Sequence, residues 1–153
     1  MKILVKNVAE TQKIAAELAA KVLALPKSKN AKVVALVGDL GAGKTTFVQS
    51  FLKELGVKGR IVSPTFLIFK PYTLNAVPYT LAYHVDVYRL KNSEELKVLK
   101  FQEILDNPQN IVLVEWADKI KEILPADALW INFEHGSKES ERFIDVRDLD
   151  RKV

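Results

Sequence analysis

The stretch "VVALVGDLGAGKTTF", residues 33–47, opens on five apolar residues, closes on a lysine and two threonines, and carries three glycines between them. An almost wholly apolar run, 33–37, is what a strand buried on both faces of a mostly parallel sheet requires. Residues 44–55 read as a helix with Phe47, Phe51, Leu52 and Leu55 turned inward and Gly56 as its stop. Between strand and helix, Gly38, Gly43, Lys44 and Thr45 fit G-x-x-x-x-G-K-[ST]. A random chain of this length meets that pattern roughly one time in 200, and the flanking strand and helix narrow the odds further. Glycines let the backbone curl until successive N–H groups, here those of Gly41, Ala42, Gly43, Lys44, Thr45 and Thr46, converge on phosphate oxygens. The positive end of the helix points at the same place. Lys44 then reaches the β and γ phosphates, and the Thr45 hydroxyl completes the shell of a bridging Mg²⁺. The expected ligand is a nucleoside triphosphate or diphosphate with magnesium.

The rest of the chain has the alternation of an α/β domain. "KILVK" reads as a short strand, and Thr11 as the cap of a helix in which Ile14, Leu18, Val22 and Leu25 recur before Pro26. Residues 66–74 and 79–88, separated by "NAVP", read as an antiparallel pair. Ser93 with Glu94 and Glu95 begins another helix. "IVLVEW" is a second buried strand, 118–124 a short helix ended by Pro125, and "ALWINFE" with "RFIDV" a final strand pair around "HGSKESE". Strands separated by helices predict a three-layer α/β/α sandwich of P-loop type, its mixed, mostly parallel sheet extended by antiparallel strands.

Composition bounds the function classes. At 153 residues the chain is expected to form one domain, residues 1–153, with one site. It has no cysteine, which excludes disulfides and thiolate metal sites. No segment approaches the roughly 18 uninterrupted apolar residues of a membrane span, and the apolar part of "KILVKN" is too short for a signal peptide. A cytoplasmic protein without a membrane partner is the expectation. The formal charge of +4 comes from 23 basic and 19 acidic residues that are interleaved. Only "LPKSKNAK" is dense enough to raise a contact to RNA, and a solvated surface is the preferred reading of it.

What happens to the nucleotide depends on the groups sharing the pocket. Residues 111–114 lead into Glu115, an acid at the C-terminal end of a parallel strand, where a magnesium carboxylate is needed. In "TLAYHVDVYRL" the period-two alternation puts His84, Asp86 and Tyr88 on one face. That face is either half solvated or lines a polar cleft. In "SPTF", Pro64 holds Ser63 extended and Thr65 follows, on a segment that is either a simple turn or a switch whose hydroxyls sense the γ-phosphate. Trp116 and Trp130 read as packing aromatics, and His135 as surface.

"GDLGAGKTTF" (38–47), "SPTF" (63–66), "HVDVYRL" (84–90) and "VEWAD" (114–118), in this order and spacing, resemble the TsaE (YjeE) family of small bacterial P-loop ATPases. The resemblance spans nearly the whole chain, more loosely over its last 20 residues, with Val85 where the family pattern is bulkier. It implies ATP, and ADP after turnover, as ligand, with Thr45 and Glu115 on magnesium and Lys44 on phosphate. It implies Asp86 near the metal or the attacking water, and a switch role for Ser63 and Thr65. It also implies partners: TsaD with TsaB, the complex that forms threonylcarbamoyladenosine at adenosine 37 of tRNAs reading codons that begin with A. The tRNA would be met through that complex, and ATP hydrolysis would support its repeated turnover. The competing class is a small-molecule kinase, which usually needs an arginine-bearing lid. With five arginines and no cluster of them, the chain offers none. A GTPase lacks its Asn-Lys-x-Asp stretch here, and a scaffold that only holds nucleotide is the third alternative.

Overall fold

The computed structural model describes residues 1–64, 66–76 and 78–147. Among these residues seven strands form one sheet: β1 (Lys2–Val5), β2 (Lys32–Gly38), β3 (Phe69–Ala76), β4 (Tyr79–Asp86), β5 (Asn110–Glu115), β6 (Leu129–His135) and β7 (Arg142–Arg147). Their order is β1-β7-β6-β2-β5-β4-β3. The central pairings β6–β2, β2–β5 and β5–β4 are parallel, and antiparallel strands extend both edges. The expected α/β sandwich of P-loop type, a parallel centre with antiparallel additions, is the fold found.

Alternation along the parallel strands sorts the core into two layers. Val34 and Leu36 of β2 and Ile111 and Leu113 of β5 pack under α1 (Val8–Ala24) and α2 (Lys44–Glu54). Val33, Ala35, Val112 and Val114 face the other way, toward α3 (Glu94–Lys97), α4 (Phe101–Leu105) and a 3-10 helix, Ala117–Ile123. Glu115 and His84 share the parity of Leu113 and Ala82, which puts them on the α1–α2 face of the sheet. Phe47, at the start of α2, meets the ring of Phe133 edge-on at 5.5 Å and anchors the helix over the β2–β6 seam.

Several boundaries differ from the sequence expectation. Helix α1 is capped by Asn7, whose Oδ1 accepts from the Glu10 N–H at 2.9 Å, so Thr11 lies inside it and is buried. The first hairpin strand begins at Phe69 rather than 66. Leu67 and Ile68 both donate their N–H to the Pro64 carbonyl, and Ile68 sits at φ 71°, so the chain turns there before it extends. Positive φ is a strained conformation for a β-branched residue. The helix after Ser93 lasts four residues, and α4, unforeseen from sequence, follows once Lys100 has turned through φ 55°.

Gly38 shows why a glycine stands at the end of β2. A Cβ there would lie 2.6 Å from the Phe133 carbonyl oxygen and 2.9 Å from the Phe133 Cβ. Neither atom can yield, because Gly38 and Phe133 are register partners of a parallel pair. Gly38→Ala is therefore expected to destabilise the protein by about 2 kcal/mol, read as a lowered denaturant midpoint with unchanged slope.

Candidate functional site

The turn between β2 and α2 is closed on itself. Ala42 donates its N–H to the Asp39 carbonyl at 3.1 Å, and Phe47 donates to Gly43 at 3.0 Å to start the helix. Gly43 holds the N-cap at φ 102°, a left-handed conformation that favours glycine. Gly41, Ala42 and Gly43 thus curl over the N-terminus of α2, whose first turn carries Lys44, Thr45 and Thr46. The first N–H groups of a helix have no carbonyl partner within it, so this end presents donors to an anion.

Lys44 is folded back onto its own loop. Its Nζ donates to the Gly38 carbonyl and, at 2.8 Å, to that of Asp39, and it lies 4.2 Å from the centroid of the Trp116 ring. Burial pushes the ammonium below the ordinary lysine value of 10.5, while the negative fields of Glu115, Asp39, Asp86 and Asp118 oppose the shift. A lysine so desolvated, among acids, is poised for an anionic partner that would favour its charge. Trp116 holds its place over Lys44 at φ 62°, where the chain turns sharply out of β5. The indole read from sequence as a packing aromatic therefore also covers the loop lysine.

Glu115, 3% exposed at the end of β5, is the meeting point. Its Oε1 accepts the Thr45 hydroxyl at 2.9 Å, and its Oε2 lies 2.6 Å from Nε2 of His84. Asp86 is its register neighbour on β4, buried, with Oδ1 accepting the Tyr88 N–H at 2.9 Å and its own N–H donated to the Ile68 carbonyl at 2.7 Å. Along the polar face of β4, His84 and Asp86 are buried and Tyr88 is exposed. Thr45 Oγ1 and Glu115 Oε1 are hard oxygen donors side by side. Magnesium takes such a set when phosphates and water complete its octahedron, and needs no all-protein cage. Among the described residues no three acidic, histidine or cysteine side chains form such a cage.

The hydroxyl residues expected on a switch segment are Ser63 and Thr65. Ser63 is exposed, beside a segment tied down by Gln49, whose Nε2 donates to the Ile61 carbonyl at 3.3 Å. Thr65 lies outside the described residues. Two features escaped the sequence reading. Arg142 donates from Nη2 to the Gly41 carbonyl at 3.2 Å, so an arginine from β7 rests on the loop. A cavity of about 450 Å³ opens beside the loop, lined by Val37, Asp39, Trp116, Asp118, Phe133 and His135 among others. The signal for both was β6, whose parallel pairing with β2 brings the "HGSKESE" turn to the mouth of the site.

This chain matches a family model described as "Threonylcarbamoyl adenosine biosynthesis protein TsaE" over residues 5–144. The chain belongs to the TsaE family. It is 38% identical to the tRNA threonylcarbamoyladenosine biosynthesis protein TsaE of Rickettsia felis over 86% of this chain and 71% of that one. It is 43% identical to the protein of the same description from Bacillus subtilis, over 68% and 62% of the two chains. Among solved structures, the crystal structure of Bacillus subtilis YdiB superposes with a TM-score of 0.70 at 36% identity, covering 95% of this chain and 83% of that one. This TsaE-family chain thus belongs with proteins of tRNA threonylcarbamoyladenosine biosynthesis. Among its described residues no helix is long and apolar enough to cross a membrane.

Proposed function

We propose that this TsaE-family protein is a magnesium-dependent ATP hydrolase that supports turnover of the TsaB–TsaD complex in forming threonylcarbamoyladenosine on tRNA. The observation that carries the reading is the convergence of Lys44, Thr45 and Glu115 at the open end of a glycine turn and a helix N-terminus. In this reading Lys44 leaves the carbonyls of Gly38 and Asp39 for the phosphates, exchanging neutral dipoles for full charges. The backbone N–H groups of the loop hold the phosphate oxygens. Thr45 and Glu115 would hold the magnesium, which supplies charge neutralisation along the phosphates. Asp86, the register neighbour of Glu115 and buried with it, orients the attacking water. The cavity beside the loop has the size of a nucleoside site and an indole on one wall.

Hydrolysis by such a site is slow without an added cation at the leaving oxygens. Arg142 is committed to the carbonyls of Gly41, Glu139 and Glu141, and Arg89 lies over the Phe66 ring at 4.3 Å. The protein alone is therefore expected to turn over ATP slowly, and the TsaB–TsaD complex to raise the rate at least tenfold by ordering the pocket. Phosphate release measured at saturating ATP, with and without that complex, tests this. Equal rates would remove the coupling to the partner, and no release in either case would remove the hydrolase reading.

A further inference from the structure

We propose that His84 is a positioning residue, a buried donor that fixes the Glu115 carboxylate in the orientation a metal ion beside Thr45 requires. The assignment deepens the proposed function and rests on its reading of the loop as a magnesium–nucleotide site. His84 is wholly buried in the sheet, too deep to touch a nucleotide or a water attacking one. Its Nε2 reaches Glu115 Oε2 at 2.6 Å, the short separation of a charge-assisted hydrogen bond. Its Nδ1 is buried with no hydrogen-bond partner among the described residues. A proton on Nδ1 would be an unsatisfied buried donor, costlier than an unsatisfied acceptor lone pair, so the ring carries its proton on Nε2 and donates to Glu115.

That bond completes the fixing of Glu115. Thr45 occupies Oε1 and His84 occupies Oε2, so the carboxylate is held at both oxygens and cannot rotate about its terminal bond without losing one of them. The two grips differ in kind. Thr45 is itself a prospective metal donor, so its hydroxyl would serve the ion through a lone pair as well as Glu115 through its hydrogen. His84 lies behind the carboxylate, buried on the α1–α2 face of the sheet, and keeps its grip in either state. Its neighbours set that position: His84 pairs in register with Leu113 on β5, two residues short of Glu115, so the imidazole leans along the strand to meet the acid. Groups of this kind, behind a ligating carboxylate, typically change metal affinity or activity by about 10- to 100-fold when removed.

The experiment is equilibrium binding of a fluorescent ATP analogue, titrated with magnesium and repeated in EDTA, on the full chain and three variants. His84→Phe fills the ring's volume without a donor, His84→Asn carries an amide too short to reach Glu115, and His84→Gln places an amide N–H near the position of Nε2. The expected result is that His84→Phe and His84→Asn keep the metal-free affinity within about threefold while the magnesium midpoint rises about 10- to 100-fold. His84→Gln should recover most of that loss. If His84→Phe does not fold, as judged by circular dichroism, His84→Asn carries the comparison with His84→Gln. Unchanged magnesium midpoints in the folded variants would overturn the assignment. So would an equal loss of metal-free and magnesium-bound affinity, or a His84→Gln protein no better than His84→Asn. If the parent protein binds no nucleotide with or without magnesium, the proposed function itself falls and this assignment with it. A parent that binds normally beside indifferent variants removes His84 alone.

Discussion

Lys44→Ala is expected to leave the protein folded and to weaken ATP binding by at least about 100-fold. Two charge-assisted bonds to phosphates, each worth about 1.5 kcal/mol beyond what water restores, account for the size of the effect. The fold should not suffer, because the free protein gains little from this ammonium. Burial holds its pKa below 10.5, so the charged form is less at ease in the folded chain than in the unfolded one. By the same linkage the folded protein gains stability relative to the unfolded chain as pH rises through the lowered pKa toward 10.5, and the variant lacks that gain. The carbonyls of Gly38 and Asp39, relieved of Lys44, lie in the loop where water can replace it. Titration with a fluorescent ATP analogue, beside a melting curve for each protein, measures both halves. A folded variant that binds ATP as tightly as the parent would end the reading of this loop as a phosphate site.

Glu115→Gln should separate binding from turnover, lowering single-turnover hydrolysis by about 10²- to 10³-fold while the nucleotide still binds. The substitution keeps the volume and an oxygen for the Thr45 hydroxyl, and removes the charge from the place where Thr45 and His84 converge. An amide oriented toward Thr45 by its oxygen turns its NH₂ toward the imidazole Nε2, donor against donor. That mismatch costs about 1–3 kcal/mol locally, so a modest drop in melting temperature should accompany the kinetic loss. Hydrolysis followed by quenched flow at saturating ATP reads the effect free of affinity changes. A rate within a few fold of the parent would take Glu115 out of the reaction and leave Asp86 as the acid that matters.

The loop was legible because its requirements are local. A buried strand, glycines at the turn, and a lysine and threonine at the first helical positions are adjacent in sequence, and each has a backbone reason to be where it is. Helix α1 shows the limit even of local reading. Thr11 and Asn7 both have capping side chains, and only the bond from Glu10 N–H to Asn7 settles which one serves. The strand expected from 66 fails for a related reason: nothing in its composition says that Ile68 turns at positive φ. The polar face of β4 was legible as a pattern and silent as an environment. Alternation puts His84, Asp86 and Tyr88 together, yet the first two are covered and the third is open.

By itself the sequence determined the P-loop, the alternation that makes an α/β sheet, and the family whose motifs it carries, since all three are written in spacings along one stretch of chain. Only the tertiary structure decided who meets whom across strands. That His84 stands behind Glu115, that Trp116 covers Lys44, and that Arg142 reaches Gly41 follow from strand order and register. Those bring together residues 31, 72 and 101 positions apart, and no periodicity within a single element carries such information.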